Sequence, residues 1–270
     1  MSNVTIKIDD RQIRQGNLIL VNGSFPWMPS DFPPLMPLKG HGSCHEKTIR
    51  LQTTAAVILA AIFQAIHSKE SIVPVSGYRD FLHQRQIYES SLLEKGVSFT
   101  MKYVAMPGCS EHQTGLAIDL GLKQEAVDYI CPDFPYEGIC EEFRKKALFY
   151  GFIERYKTHK EAVTGISAEP WHFRYVGYPH SLIMEEMDLS LEEYIRFLKG
   201  FPYEGSHFYY HTGGLKFEIF FADLAEPSEL FAQFSSSPAV RRQREIRLDE
   251  SKAFQISGNN DDGCIFTVWS

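Results

Sequence analysis

Asp119 lies inside an otherwise apolar run, Leu116-Ala117-Ile118-Asp119-Leu120, and that placement constrains the fold more than any other feature. Such a run belongs in a protein interior, where a bare carboxylate is costly to bury. A bound dication or a strong hydrogen-bond partner offsets the cost, so the fold must bring one to residue 119. His112 precedes it by seven residues, a spacing that suits two facing strands joined by a reversal at Thr114-Gly115. His172 offers another nitrogen, and Glu169, stiffened by Pro170, can stand near the same ion without ligating it. A catalytic zinc takes three protein ligands of these types and keeps a position open for water. Each residue taken singly has an ordinary alternative: a core histidine, an arginine-paired aspartate, a turn glutamate. No short regular spacing of the HExxH kind joins them.

The rest of the chain is that of an ordinary globular protein. Of its 270 residues, 44% are hydrophobic and 23% charged, enough for a sizeable core without staples. The net charge of -7 argues against a general nucleic-acid surface or an anionic-membrane surface. Charges occupy the N-terminal stretch where a signal peptide needs an apolar core, and the apolar run from Ala55 to Phe63 is too short to span a bilayer. The expected location is therefore cytoplasmic. The five cysteines form no CxxC pair, which fits reduced thiols.

Strands are expected at residues 16–22 and 72–75, and a Pro-rich loop lies between Pro26 and Pro37. Helices are expected over residues 46–67, from Asp80 as cap to Lys95, and over 141–150. Residues 103–122 read as two short strands. The capping box Ser190-Leu191-Glu192-Glu193 opens a last helix that stops at Gly200. Beyond Gly200 the texture becomes strand-like, ending in FQIS and CIFTVW around the turn GNNDDG. That turn faintly suggests a calcium loop but lacks the distal glutamate of an EF-hand. The expected organisation is a catalytic domain over 1–200 and a β-rich extension over 201–270.

The runs SGYRDFLHQ, YVAMPGCSEHQTGLAIDLGL and GISAEPWHFRYVG resemble the D,D-peptidases of the VanX, VanY and VanXY type. That group also contains bacterial L-Ala-D-Glu endopeptidases and the hedgehog signalling domain. The resemblance spans roughly residues 16–200 and rests on SxHxxGxAxD followed by ExxH. It implies an α+β fold, with a small antiparallel sheet carrying one catalytic Zn²⁺ and helices packed on it. By position it makes His112, Asp119 and His172 the metal ligands and Glu169 the catalytic base. Arg79 is implied at the developing oxyanion, Ser110 and Gln84 at the substrate, and Tyr103 and Trp171 as pocket walls. Cys109, beside Ser110, is then a wall residue, because a metal ligand cannot also activate a thiol. The implied activity is hydrolysis of terminal D-Ala-D-Ala, as the dipeptide or on a peptidoglycan precursor, of the vancomycin-resistance type. A stem-peptide endopeptidase and a non-catalytic zinc module are the alternatives that the same fold allows.

Overall fold

The computed structural model describes residues 3–28, 33–38, 48–68, 71–224 and 243–270. In chain order the strands are β1 (Asn3–Asp9), β2 (Leu35–Pro37), β3 (Arg50–Gln52), β4 (Ile72–Ser76), β5 (Ala117–Leu122), β6 (Phe152–Tyr156), β7 (Glu169–Tyr175), β8 (Phe208–Thr212), β9 (Leu215–Asp223), β10 (Gln243–Asp249), β11 (Ala253–Gly258) and β12 (Gly263–Trp269). The α-helices are α1 (Thr53–Ala65), α2 (Phe81–Glu94), α3 (Val97–Tyr103), α4 (Gly138–Phe149), α5 (Glu161–Thr164), α6 (His180–Glu186) and α7 (Leu191–Lys199). The chain divides into two compact units, Val21–Glu192 and Met1–Leu20 together with Glu193–Ser270. No helix of the described residues is long and apolar enough to cross a membrane.

The unit from 21 to 192 is built on an antiparallel sheet of order β4-β5-β7-β6. Helix α4 buries Cys140, Phe143 and Ala147, one stripe of its surface. The Phe143 ring lies 5.8 Å from those of Phe63 and Phe134 and 4.9 Å from that of Phe173. Phe173 on β7 thus packs into the helices, and successive strand residues point to opposite faces. Its neighbour His172 is turned the other way, toward the site. Helix α2 starts where the sequence places it, with the Asp80 carboxylate accepting from the His83 N–H at 2.8 Å.

Several expectations are corrected. Residues 16–22 form no strand: the N–H of Leu18 donates to the Ser257 hydroxyl and that of Leu20 to the Asn259 carbonyl, isolated bonds rather than a ladder. Residues 103–122 hold one strand, β5, not two. Tyr103 ends α3, and Glu111–Thr114 form a single 3-10 turn closed by Gly115 in the left-handed region. The turn wins because the Thr114 hydroxyl bridges the Glu111 carbonyl and the Leu116 N–H, bonds a strand could not keep. The Pro-rich loop contains the short strand β2, and Pro29 within it lies outside the described residues. The first residues of the helix expected over 46–67 also lie outside them, and α1 begins at Thr53.

The other unit carries a sheet of order β11-β12-β9-β8 and a separate β1–β10 pair. Ile8, Ile13, Phe220, Ala222, Ile246, Cys264, Phe266 and Val268 are among the residues of its core. The GNNDDG turn joins β11 to β12. Its Asn259 Oδ1 accepts from the N–H groups of Asp261, Asp262 and Gly263, and the Lys199 ammonium pairs with both aspartates. The acidic side chains of the turn therefore face a lysine.

Candidate metal centre

Three strands line up the centre of the site. Register pairs Ser76 on β4 with Asp119 on β5, and Asp119 with His172 on β7. Both neighbouring ladders are irregular where they pass the site, at residues 74–76 of β4 and opposite residues 169–173 of β7. The second irregularity matters most: between its paired positions β7 runs four residues, 169 to 173, against two of β6, and a bulge of this kind re-aims side chains. It lets Glu169 and His172, an odd number of residues apart, turn toward one cavity. His112 arrives from the 3-10 turn, which Gly115 closes with φ 72° against the backbone of Gln52, 3.0 Å from where a Cβ would stand.

All nine residues named from the sequence line one cavity of about 40 Å³: Arg79, Gln84, Tyr103, Ser110, His112, Asp119, Glu169, Trp171 and His172. The donor atoms of His112, Asp119 and His172 lie within 4.8 Å of one another, and all three residues are buried. His112 Nδ1 stands 2.7 Å from the Gly77 carbonyl and so must be its donor, leaving Nε2 as the bare edge. That Nε2 faces Asp119 Oδ2 at 3.2 Å. Burial and the Arg79 guanidinium push the ring down to about 4, so at neutral pH it is uncharged and its lone pair confronts a carboxylate. The two atoms stand close enough to share one cation. Asp119 Oδ1 in turn lies 2.9 Å from His172 Nδ1. The donor set, two imidazoles and a carboxylate, fits zinc.

Burial would raise the Asp119 carboxyl, but the imidazoles of His112 and His172 outweigh it and hold it well below the usual range. Glu169 behaves oppositely: burial pushes it up to about 8, and its Oε2 lies 3.7 Å from His172 Nδ1. Arg79 reaches into the centre through three bonds, to Ser76 Oγ at 2.8 Å, Asp119 Oδ2 at 2.8 Å and Gln84 Oε1 at 3.3 Å. The Gln84 amide also donates to the Ala105 carbonyl at 2.8 Å, so both of its ends are engaged within the protein. Tyr103 and Trp171 contribute walls.

Sequence reasoning passed over Glu111, Arg155, Arg174 and Tyr156. Glu111 is wholly buried, with Oε1 at 2.9 Å from Arg155 Nε and 2.8 Å from Arg174 NH1. The Tyr156 ring packs on His172 at 4.9 Å. The missed signal is the one that exposed Asp119: Arg155 and Arg174 sit inside FIERY and HFRY, apolar strands in which a charge demands a partner.

Residues 48–178 match the VanY family, described as D-alanyl-D-alanine carboxypeptidase. The bifunctional D-Ala-D-Ala dipeptidase and carboxypeptidase VanXYC of Enterococcus gallinarum is 43% identical over 185 residues, 67% of this chain and 94% of that protein. The crystal structure of the vancomycin-resistance D,D-dipeptidase VanXYg with a D-Ala-D-Ala phosphinate analogue superposes with a TM-score of 0.88 at 44% identity, covering 100% of both chains. A glutamate-to-alanine variant of the D,D-pentapeptidase VanY from a VanB-type cassette, in complex with Zn(II), matches 66% of this chain and 98% of that one, with a TM-score of 0.54 and 29% identity. With its metal-ready triad and these relatives, the chain belongs to the VanY family of D-alanyl-D-alanine carboxypeptidases.

Proposed function

We propose that this chain hydrolyses the D-Ala-D-Ala bond at the end of peptidoglycan precursors, as a zinc peptidase of the vancomycin-resistance type. The observation that carries the reading is the buried meeting of His112, Asp119 and His172, with a lone-pair nitrogen facing a carboxylate. His112 through Nε2, Asp119 through its carboxylate and His172 through Nδ1 are the atoms that would hold a single zinc ion. When bound, zinc makes hydroxide available near neutral pH by lowering the pKa of a coordinated water from ~15.7 to about 7.

Glu169 is assigned as general base. Burial keeps its carboxyl close to neutral pH, and a base whose pKa lies near the working pH moves a proton most effectively. It accepts the proton of the attacking water and returns it to the departing amine. Arg79, anchored by Ser76 and Gln84, offers its guanidinium to the charge that develops on the scissile carbonyl oxygen. Ser110, 2% exposed in the cavity wall, is assigned to the terminal carboxylate or backbone of the substrate. Gln84 acts by bracing Arg79, and Tyr103 and Trp171 shape the pocket. Every residue given a role lies between 21 and 192, and none is drawn from 193–270.

The test is product analysis on D-Ala-D-Ala and on a D-Ala-terminated pentapeptide, with and without chelator. Release of D-alanine that stops on chelation and returns with zinc is expected. Zinc bound in stoichiometric amount with no cleavage of either peptide sinks the reading.

A further inference from the structure

Glu111 stands beside His112 in the chain and lines the same cavity, with its carboxylate against the His172 ring. Its Oε1 takes both arginines, at 2.9 Å from Arg155 Nε and 2.8 Å from Arg174 NH1. Arg155 is itself pinned by Glu192 through contacts of 3.0 and 2.6 Å, and its side chain is 0% exposed. This leaves Glu111 Oε2 facing His172 Nε2 at 3.5 Å, and both atoms are buried with no hydrogen-bond partner among the described residues. On the opposite edge of the same ring, Nδ1 lies 2.9 Å from Asp119 Oδ1 and 3.7 Å from Glu169 Oε2. Neighbouring rings bound its plane, Tyr156 tilted at 4.9 Å and His112 edge-on at 5.0 Å.

The two imidazoles are therefore held by opposite edges. His112 gives its Nδ1–H to a neutral backbone carbonyl and presents Nε2, whereas His172 has a carboxylate behind Nε2 and presents Nδ1. A carboxylate behind a ligating imidazole fixes its tautomer and strengthens its basicity. Two guanidiniums and an imidazole compensate the buried charge of Glu111, without which such a carboxylate is not tolerated in an interior.

We propose that Glu111 is a positioning residue for the metal centre: braced by Arg155 and Arg174, it holds the Nε2–H edge of His172 so that Nδ1 faces the ion. This rests on the reading of the site as a zinc centre, and it adds a residue to which no role was given above. In this role Glu111 acts through His172.

The test uses the full chain labelled with ¹⁵N-histidine and loaded with zinc or ¹¹³Cd. Long-range ¹H–¹⁵N spectra report which ring nitrogen carries the proton, and a ¹⁵N–¹¹³Cd coupling marks the one that ligates. Coupling at Nδ1 of His172 and at Nε2 of His112 is expected; coupling at Nε2 of His172 overturns the proposal. In parallel, zinc affinity by chelator competition should weaken about 10–100-fold in Glu111→Leu, with partial recovery in Glu111→Gln, which keeps an oxygen able to face the ring. A folded leucine variant that binds zinc as tightly as the parent also overturns it. If that variant does not fold, the parent spectrum and the glutamine variant decide. A chain with the expected couplings and no D-Ala-D-Ala hydrolysis removes the peptidase reading and leaves Glu111 its role; hydrolysis with His172 bound through Nε2 does the reverse.

Discussion

Both units of the molecule carry a four-stranded antiparallel sheet, yet the first buries charged side chains among its apolar ones where the second is apolar. In β5, β6 and β7 the buried side chains include Asp119, Arg155, Glu169, His172 and Arg174. In β9 and β12 the corresponding interior is Phe220, Ala222, Cys264, Phe266 and Val268, with the Phe220 and Phe266 rings stacked at 5.1 Å. Apolar burial of the second kind stabilises a fold at about 25 cal/mol per Å². Buried charge of the first kind stabilises little, and breaking one partner of a pair is strongly destabilising. A sheet that retains so many internal charges gains little stability from them, and the difference teaches where in this chain substitutions should act on rate and where on stability.

The largest effect expected from this contrast is at the ligands. His172→Ala should drop D-Ala release to background, on the order of 10⁶-fold or more, the whole acceleration of an ordinary enzyme. Added zinc should restore the chelated parent but not the variant. A variant with substantial zinc-dependent turnover would break the comparison at its root. Next comes Glu169→Gln, which removes the base while leaving the three ligands in place. Its turnover should fall about 10²–10⁴-fold with zinc content unchanged. Loss of zinc along with activity in this variant would make Glu169 a ligand rather than a base.

On the other side of the comparison, Phe266→Ala empties a fully buried position in the apolar sheet. It should cost about 3–5 kcal/mol of stability in denaturant unfolding while leaving kcat/KM per folded molecule unchanged. A large fall in kcat/KM with an unchanged unfolding midpoint would assign the β-rich unit a part in the reaction.

The apolar sheet was the more legible of the two in the sequence. The strand runs from Phe208 to Trp269 and the hairpin across GNNDDG follow from local pattern and turn chemistry, which need no distant partner. The exception is β1, whose pairing with β10 joins the two ends of the chain, so nothing local in Asn3–Asp9 announces it. The charged sheet was legible where a charge broke an apolar pattern, as at Asp119, and illegible where tertiary contacts decided the backbone. Residues 111–114 make a 3-10 turn instead of a strand, with Glu111 drawn to two arginines far along the chain. Glu169 and His172 share a cavity through a register irregularity that spacing alone does not reveal. The sequence singled out His112, Asp119 and His172, the family resemblance assigned them to a metal, and the geometry adds which nitrogen each histidine presents.

The smallest effect concerns a third buried histidine of the charged unit. His180, at the start of α6, is 1% exposed, and burial pushes its ring down to about 3 from an ordinary 6.5. The unfolded chain therefore binds a proton at this residue over a window in which the folded chain does not. Above pH 6.5 the ring is neutral in both states and carries no pH dependence; below it, stability is lost steadily until the folded ring also titrates near pH 3. At pH 5 the loss from this one group should be about 2 kcal/mol. Urea unfolding of the parent and of His180→Gln at pH 7 and pH 5 isolates it, because every other titrating group is common to both. The parent's advantage over the variant should shrink by about 2 kcal/mol between the two pH values. A constant difference would mean that the folded ring takes up its proton as readily as the unfolded one, and at pH 5 the charged unit would then hold one more buried cation than the contrast between the sheets assigns to it.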